Sequence, residues 1–188
     1  MKLAKLLLVP LVLILGGAGA YLFLFSDTPI NERLCSWGSP QGCARAGGDL
    51  AGGTNGPVDL AKAGEFFLKA CDANDSRGCF AAALLYAEGH GLPNDQANAT
   101  RLFIKACDNG YSKSCQQAAI RLAKGNGIAT DLSGALAIFE KLCGEGEAAA
   151  CYNASGFHRT GTGTTADVAK AEKLNARACD LGRQKSCK

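Results

Sequence analysis

A chain of 188 residues with ten cysteines and 24 glycines has room for one domain and a short appendage, not for several. Twenty Lys and Arg face 17 Asp and Glu, leaving a formal charge of +3, and two of those charges are Lys2 and Lys5. That balance excludes the basic footprint of a nucleic-acid binder. So many evenly spaced cysteines argue against a reducing cytosol and for an oxidising compartment.

After Lys2 and Lys5, residues 6–25 carry no charge. Twenty apolar residues are long enough to span a bilayer, and flanking lysines stay on its cytoplasmic side. Residues 1–25 therefore read as a signal or membrane-anchor segment. The rest is then expected on the exported side of that membrane. Ala18, Gly19 and Ala20 resemble a signal-peptidase site, and cleavage after Ala20 would instead release a soluble exported protein. Cleavage would also expose Tyr21, Leu22, Phe23, Leu24 and Phe25 as an apolar terminus, which favours the anchor. Residues 26–34, with Pro29 and three charges, read as a linker to a domain at 35–188.

From residue 35 the chain repeats every 36 residues, as 35–70, 71–106, 107–142 and 143–178, with a fragment at 179–188. One structural unit copied along the chain is the signature of a solenoid. Each copy holds an aspartate (Asp59, Asp95, Asp131, Asp167) followed by small residues and then an i, i+3, i+4, i+7 apolar face. That face is Ala63, Phe66, Phe67 and Ala70 in the first copy, and Ala99, Leu102, Phe103 and Ala106 in the second. The pattern predicts an amphipathic helix with Asp meeting its free amides, and Lys69, Lys105, Lys141 and Arg177 in its last turn suit the helix dipole. A second helical stretch, clearest at 80–88, 116–124 and 152–160, ends at a glycine pair such as Gly89 and Gly91. Glycine there permits a left-handed helix stop and a tight turn. The expected fold is an all-α solenoid of about four helix-turn-helix repeats. The first copy, rich in glycine and with Asn55 in place of the second loop glycine, and the last, with Asn175 in the Phe67, Phe103, Phe139 column, read as caps.

The cysteines lie at Cys35, Cys43, Cys71, Cys79, Cys107, Cys115, Cys143, Cys151, Cys179 and Cys187. Eight residues on one continuous helix span about 12 Å, too far for a disulfide, so a turn must fall inside each pair. Segments 72–78 and 108–114 carry the Gly, Asn, Asp and Ser of such a turn. Equivalent cysteines of neighbouring copies sit about 8–10 Å apart, again too far. The expected bridges are therefore Cys35 with Cys43 and its four successors. Zinc would need four converging ligands, which pairs one repeat apart do not supply, so no metal and no cofactor is expected.

Ala81, Leu84, Tyr86, Gly89, Gly91, Leu92, Asp95 and Ala99, closed by Phe103, Lys105 and Ala106, resemble the Sel-one-like repeat, a relative of the tetratricopeptide repeat. Leu85 for the family's first glycine, Cys107 for its usual second alanine and an early one-residue slip depart from the pattern. The cysteine pair in every unit is similar to the cysteine-rich Helicobacter proteins. That resemblance implies a secreted, disulfide-stapled solenoid that serves as a protein-interaction scaffold, with penicillin binding and weak β-lactam hydrolysis as associated activities. Relatives that neutralise periplasmic toxins add an immunity protein to the implied roles.

The chain offers little for hydrolysis. No serine has a lysine three residues on, and neither G-x-S-x-G nor H-x-H-x-D occurs. Arg159, Thr160 and Gly161 resemble a K-T-G triplet only faintly. His90 reads as an exposed loop residue and His158 as a packed helix residue, so no catalytic residue is assigned. For binding, one face of the stretches after each second cysteine varies from copy to copy. It carries Ala81, Leu85 and Glu88, then Gln117, Arg121 and Lys124, then Asn153, Phe157 and Thr160. That face is the candidate surface for a protein or peptide partner, with a β-lactam as the alternative ligand.

Overall fold

Helix starts and stops follow the 36-residue period. The computed structural model describes residues 29–187, and the apolar run at 6–25, with both readings of it, lies outside them. The described residues run α1 (Ile30–Ser36), α2 (Pro40–Gly52), α3 (Leu60–Asp72), α4 (Ser76–Glu88), α5 (Gln96–Asp108), α6 (Ser112–Lys124), α7 (Leu132–Gly144), α8 (Ala148–Thr160) and α9 (Val168–Asp180). A short 3-10 turn, Gln184–Ser186, follows, and there is no strand among them. No described helix is long and apolar enough to cross a membrane.

Each repeating aspartate caps a second helix. Asp59, Asp95, Asp131 and Asp167 accept hydrogen bonds from the backbone N–H groups of Lys62, Asn98, Gly134 and Lys170. One otherwise orphaned amide is satisfied in each case. Each first helix stops at a left-handed glycine, Gly53, Gly89, Gly125 or Gly161. The loop's second glycine has a different reason to be there. A β-carbon on Gly91 would sit 2.3 Å from the Leu60 backbone, and one on Gly127 2.2 Å from that of Ala97. The loop thus presses on the start of the preceding unit's second helix. In the first copy no complete second helix precedes the loop, so Asn55 fits, and its amide bonds Asp49 at 3.3 Å.

The linker reading of 26–34 changes at its end, because residues 30–34 are helical. Helix α1 occupies the columns of a second helix's last turns: Ile30 matches Phe66, and Cys35 matches Cys71. It stands where the second helix of a preceding unit would end. The Cys35 bridge, Asn31 donating to Asp49 at 2.7 Å and the Lys62–Glu32 ion pair at 3.1 Å hold it on α2 and α3.

All ten cysteines are bridged, one disulfide to a repeat, with Cα atoms 4.4 Å apart at Cys71–Cys79 and 5.0 Å apart at Cys179–Cys187. The turn inside each pair is shorter than 72–78. Helix α4 starts at Ser76, capped by Asp75, whose side chain accepts from Arg77 and Gly78 N–H. Cys71 and Cys79 therefore lie inside α3 and α4, where only small side chains let the helices close up. A β-carbon on Gly78 would meet that of Ala70 at 2.5 Å, and the equivalent Ser114 is buried with its hydroxyl donating to Phe103 O. Consequently the three inner bridges each span the joint between one helix pair and the next, while Cys35–Cys43 ties α1 to α2 and Cys179–Cys187 ties α9 to the closing turn.

The core follows the phenylalanine column. Phe103 is 1 % exposed and packs edge-on against Phe80 at 5.7 Å, and Phe139 is 2 % exposed. Burying such a ring contributes about 2–3 kcal/mol. At the two ends the column turns polar. Asn31 bonds Asp49, and Asn175 donates to Ser186 O in the closing turn at 2.9 Å.

Candidate binding groove

The first helices α4, α6 and α8 carry the variable columns, and between α6 and α8 their surface opens. A cavity of about 760 Å³ lies there, within the range of ligand sites. Its walls are Ile120, Lys124, Tyr152 and Phe157, and Phe139 and Asn175 reach it from the second helices. The opening has a local cause. Leu84 and Ile120 fill one column in the earlier units, and Gly156 stands there in α8. Phe157 is kept in place by an edge-on contact with Phe139 at 5.7 Å.

The groove is positively charged. Lys124, Arg159 and Lys185 line it, no carboxylate does, and none of the three pairs with an acid among the described residues. The Arg183 guanidinium lies 4.3 Å from the Tyr152 ring centroid and adds a cation to that wall. At the other end of the solenoid a cavity of about 310 Å³ is lined by Glu32, Asp49 and Asp59 together with Lys62, which pairs with Glu32.

Four of the candidate residues, Lys124, Asn153, Phe157 and Thr160, meet in this groove. Glu88 is exposed at the end of α4, its carboxylate 3.2 Å from His90 Nδ1, and Gln117 is exposed on α6. Leu85 and Arg121 are not on a free surface. Leu85 is buried in a cluster with Ala63, Phe67 and Ala82. Arg121 is 7 % exposed, lies 5.1 Å from the Phe103 ring centroid and donates twice to Gln96 Oε1, at 3.0 and 3.1 Å. Burial lowers its pKa from the ordinary arginine value. Positions four residues apart looked like one exposed stripe, but the middle of that stripe turns inward onto the phenylalanine column. Gly156, Tyr152 and Lys185 are groove residues that the sequence does not single out, although Gly156 breaks an otherwise bulky column, and Arg159 lines the groove where the sequence offers it only within the triplet.

Neither histidine lines the groove. His90 is exposed. His158 is 5 % exposed, with Nε2 2.7 Å from Glu140 Oε1, and the Lys170 ammonium donates to the same oxygen at 2.6 Å. The Lys170 hydrogen bond, and after it the His158 one, holds the Glu140 carboxyl below its usual range. The triplet Arg159, Thr160 and Gly161 is the end of a helix. The Thr160 hydroxyl donates to Gly156 O at 3.0 Å, and Gly161 is the left-handed cap. No cluster of three metal-ligating side chains occurs among the described residues.

Comparison with known proteins supplies the context. The Sel1 repeat model matches residues 40–75, 76–111 and 148–182. The first two matched units place the Cys71–Cys79 bridge at the joint between them, and 112–147 forms the same helix pair without a match. The similar solved structures include three that bear on the fold. A protective antigen of uropathogenic Escherichia coli with the same repeat fold superposes with a TM-score of 0.75 at 21 % identity, over 83 % of this chain and 33 % of its own. A Sel1 repeat protein of Oxalobacter formigenes gives 0.65 at 17 %, over 83 % of this chain and 62 % of its own. The cysteine-rich protein B of Helicobacter pylori gives 0.51 at 25 %, over 69 % of this chain and 93 % of its own. This chain thus spans a third of the first structure and under two thirds of the second. No curated protein matches it.

Proposed function

The chain belongs to the Sel1 repeat family, and from that premise we propose that it is an extracytoplasmic scaffold docking a protein or peptide segment in the groove between α6 and α8. The observation that carries this reading is the contrast between fixed framework columns and the varied side chains of the groove, whose cations Lys124, Arg159 and Lys185 meet no acid among the described residues. Interfaces of this kind favour Tyr, Phe and Arg around a pocket. Five disulfides suit an oxidising extracytoplasmic environment. The finer location is the periplasmic side of an inner membrane, with the apolar run 6–25 as tether. A secreted or envelope protein, a toxin included, is the class of partner this surface suits.

A photo-crosslinking amino acid at Thr160, compared with one at exposed Lys141 on α7, tests the docking site in living cells. A discrete adduct from position 160 alone is expected. Adducts from both positions, or from Lys141 alone, count against the groove. Turnover of a chromogenic cephalosporin by the oxidised chain, lost on reduction, would replace the scaffold reading with the β-lactam one.

A further inference from the structure

Gly156 lies inside α8, where glycine is disfavoured because it gives up backbone entropy and packs against nothing. The two preceding units hold Leu84 and Ile120 at this position, both packed on the core. A β-carbon on Gly156 would meet no atom within 4 Å, and its φ is not positive. Neither a close approach nor backbone conformation therefore requires glycine here. What it leaves is a notch walled by Ile120, Tyr152 and Phe157. Gly48 shares the column in α2, but there Ala44 and Asp49 stand where α8 has Tyr152 and Phe157.

The walls are apolar and the rim is cationic. Lys124, Arg159 and Lys185 gather at one groove without a carboxylate among its lining, so an anionic occupant lowers their mutual repulsion. The Asn153 side chain has no hydrogen-bond partner among the described residues, and its amide offers both a donor and an acceptor to a peptide unit. Resting on the scaffold reading, we propose that the groove takes an acidic peptide segment, one bulky apolar side chain of which enters the notch over Gly156 while its carboxylates meet Lys124, Arg159 and Lys185.

Backbone amide NMR titration of the oxidised 188-residue chain tests this, with three capped pentapeptides as probes: Glu-Glu-Phe-Glu-Glu, Lys-Lys-Phe-Lys-Lys and Glu-Glu-Ala-Glu-Glu. The first is expected to shift Asn153, Gly156 and Phe157 saturably, and the other two to bind at least about tenfold more weakly. Gly156→Leu, which fits the open space, should weaken the first peptide by a similar factor with the helical circular dichroism intact. Lys124→Gln with Arg159→Gln should do so without touching the packing. Equal binding of the charge-reversed peptide, or undiminished binding by Gly156→Leu, overturns the proposal. Shifts on another helix face by peptides of any charge overturn it too but leave the scaffold reading standing. Silence with every peptide counts against both. Benzylpenicillin shifting the groove residues while the peptides stay silent would assign the notch to a small carboxylate instead.

Discussion

Where α4 meets α6 the first-helix surface is sealed, and where α6 meets α8 it is open. At the sealed joint Leu84 and Ile120 pack on the core, and Arg121 lies over Phe103, held by Gln96. One repeat on, Gly156 takes the place of Ile120, Phe157 that of Arg121 and Leu132 that of Gln96. Phe157 meets Phe139 much as Arg121 meets Phe103. The helices are set by columns that do not change between the two joints: the capping aspartate, the paired loop glycines, the cysteines and the phenylalanine. Whether the surface closes is decided by a few columns that carry none of that framework.

The comparison breaks first if the two joints differ in packing and not merely in lining. Phe103→Ala should cost about 3–5 kcal/mol, because the ring is almost fully buried and the cavity left behind adds to the lost transfer energy. Phe139→Ala, equally buried, should cost the same to within about 1 kcal/mol. Urea unfolding of the oxidised variants measures both. A much cheaper Phe139→Ala would mean that the open joint is loosely packed, and that its cavity reflects slack in the core more than Gly156.

The staples offer the next largest contrast. Replacing Cys107 and Cys115 with alanine removes the bridge from α5 to α6, and replacing Cys143 and Cys151 removes the one from α7 to α8. Each closes a short loop worth about 2.5 kcal/mol in the chain-entropy account. Equal losses of stability without reductant, with the groove residues' amide shifts unmoved, would mean that the bridges act through the unfolded chain. Loss of the groove's shifts in the second variant alone would mean that its bridge also positions the binding surface.

Much of this was legible in the sequence because it is written in columns. A residue fixed by a helix cap, a left-handed turn or a bridge recurs at 36-residue spacing, so Asp95, Gly89 and Cys79 announce their roles through their copies. The polar ends of the phenylalanine column are readable at both termini, yet the proline and charges of 26–34 read as linker and hide Asn31 from the column. The candidate face was legible only in part. Lys124, Asn153, Phe157 and Thr160 reach the groove, but helical spacing does not say how far a face turns toward its neighbour, and Leu85 and Arg121 turn inward. Lys185 was invisible because the fragmentary last copy closes in a 3-10 turn where the full copies begin a first helix, and the repeat does not foretell where that turn lies.

Gly156→Leu sharpens the comparison from the other side. Restoring a bulky residue should seal the open joint and raise stability by about 0.5–1 kcal/mol, the difference between glycine and a good helix former in a helix interior. A gain in the urea midpoint alongside weaker peptide binding would identify the glycine as a position where stability is given up for an open surface. A loss of stability would mean that the notch is narrower than its empty surroundings imply.

The smallest effect belongs to the tie behind the open joint, where Glu140 of α7 meets His158 of α8 and Lys170 of α9. The sealed joint has no such ion pair at the equivalent positions, Ile104, Leu122 and Gly134. Glu140 has its folded pKa lowered, chiefly by Lys170, so its contribution is present above the ordinary carboxylate range and lost as pH falls through the folded value. The pair is partly solvated, which limits it to roughly 0.2–1 kcal/mol. Glu140→Gln should therefore be less stable than the parent by that amount at pH 7, and the gap should narrow below about pH 4. A gap that stays constant down to pH 2 would trace the loss to the Gln side chain's packing, and would remove charge from the account of how α7, α8 and α9 are held together around the groove.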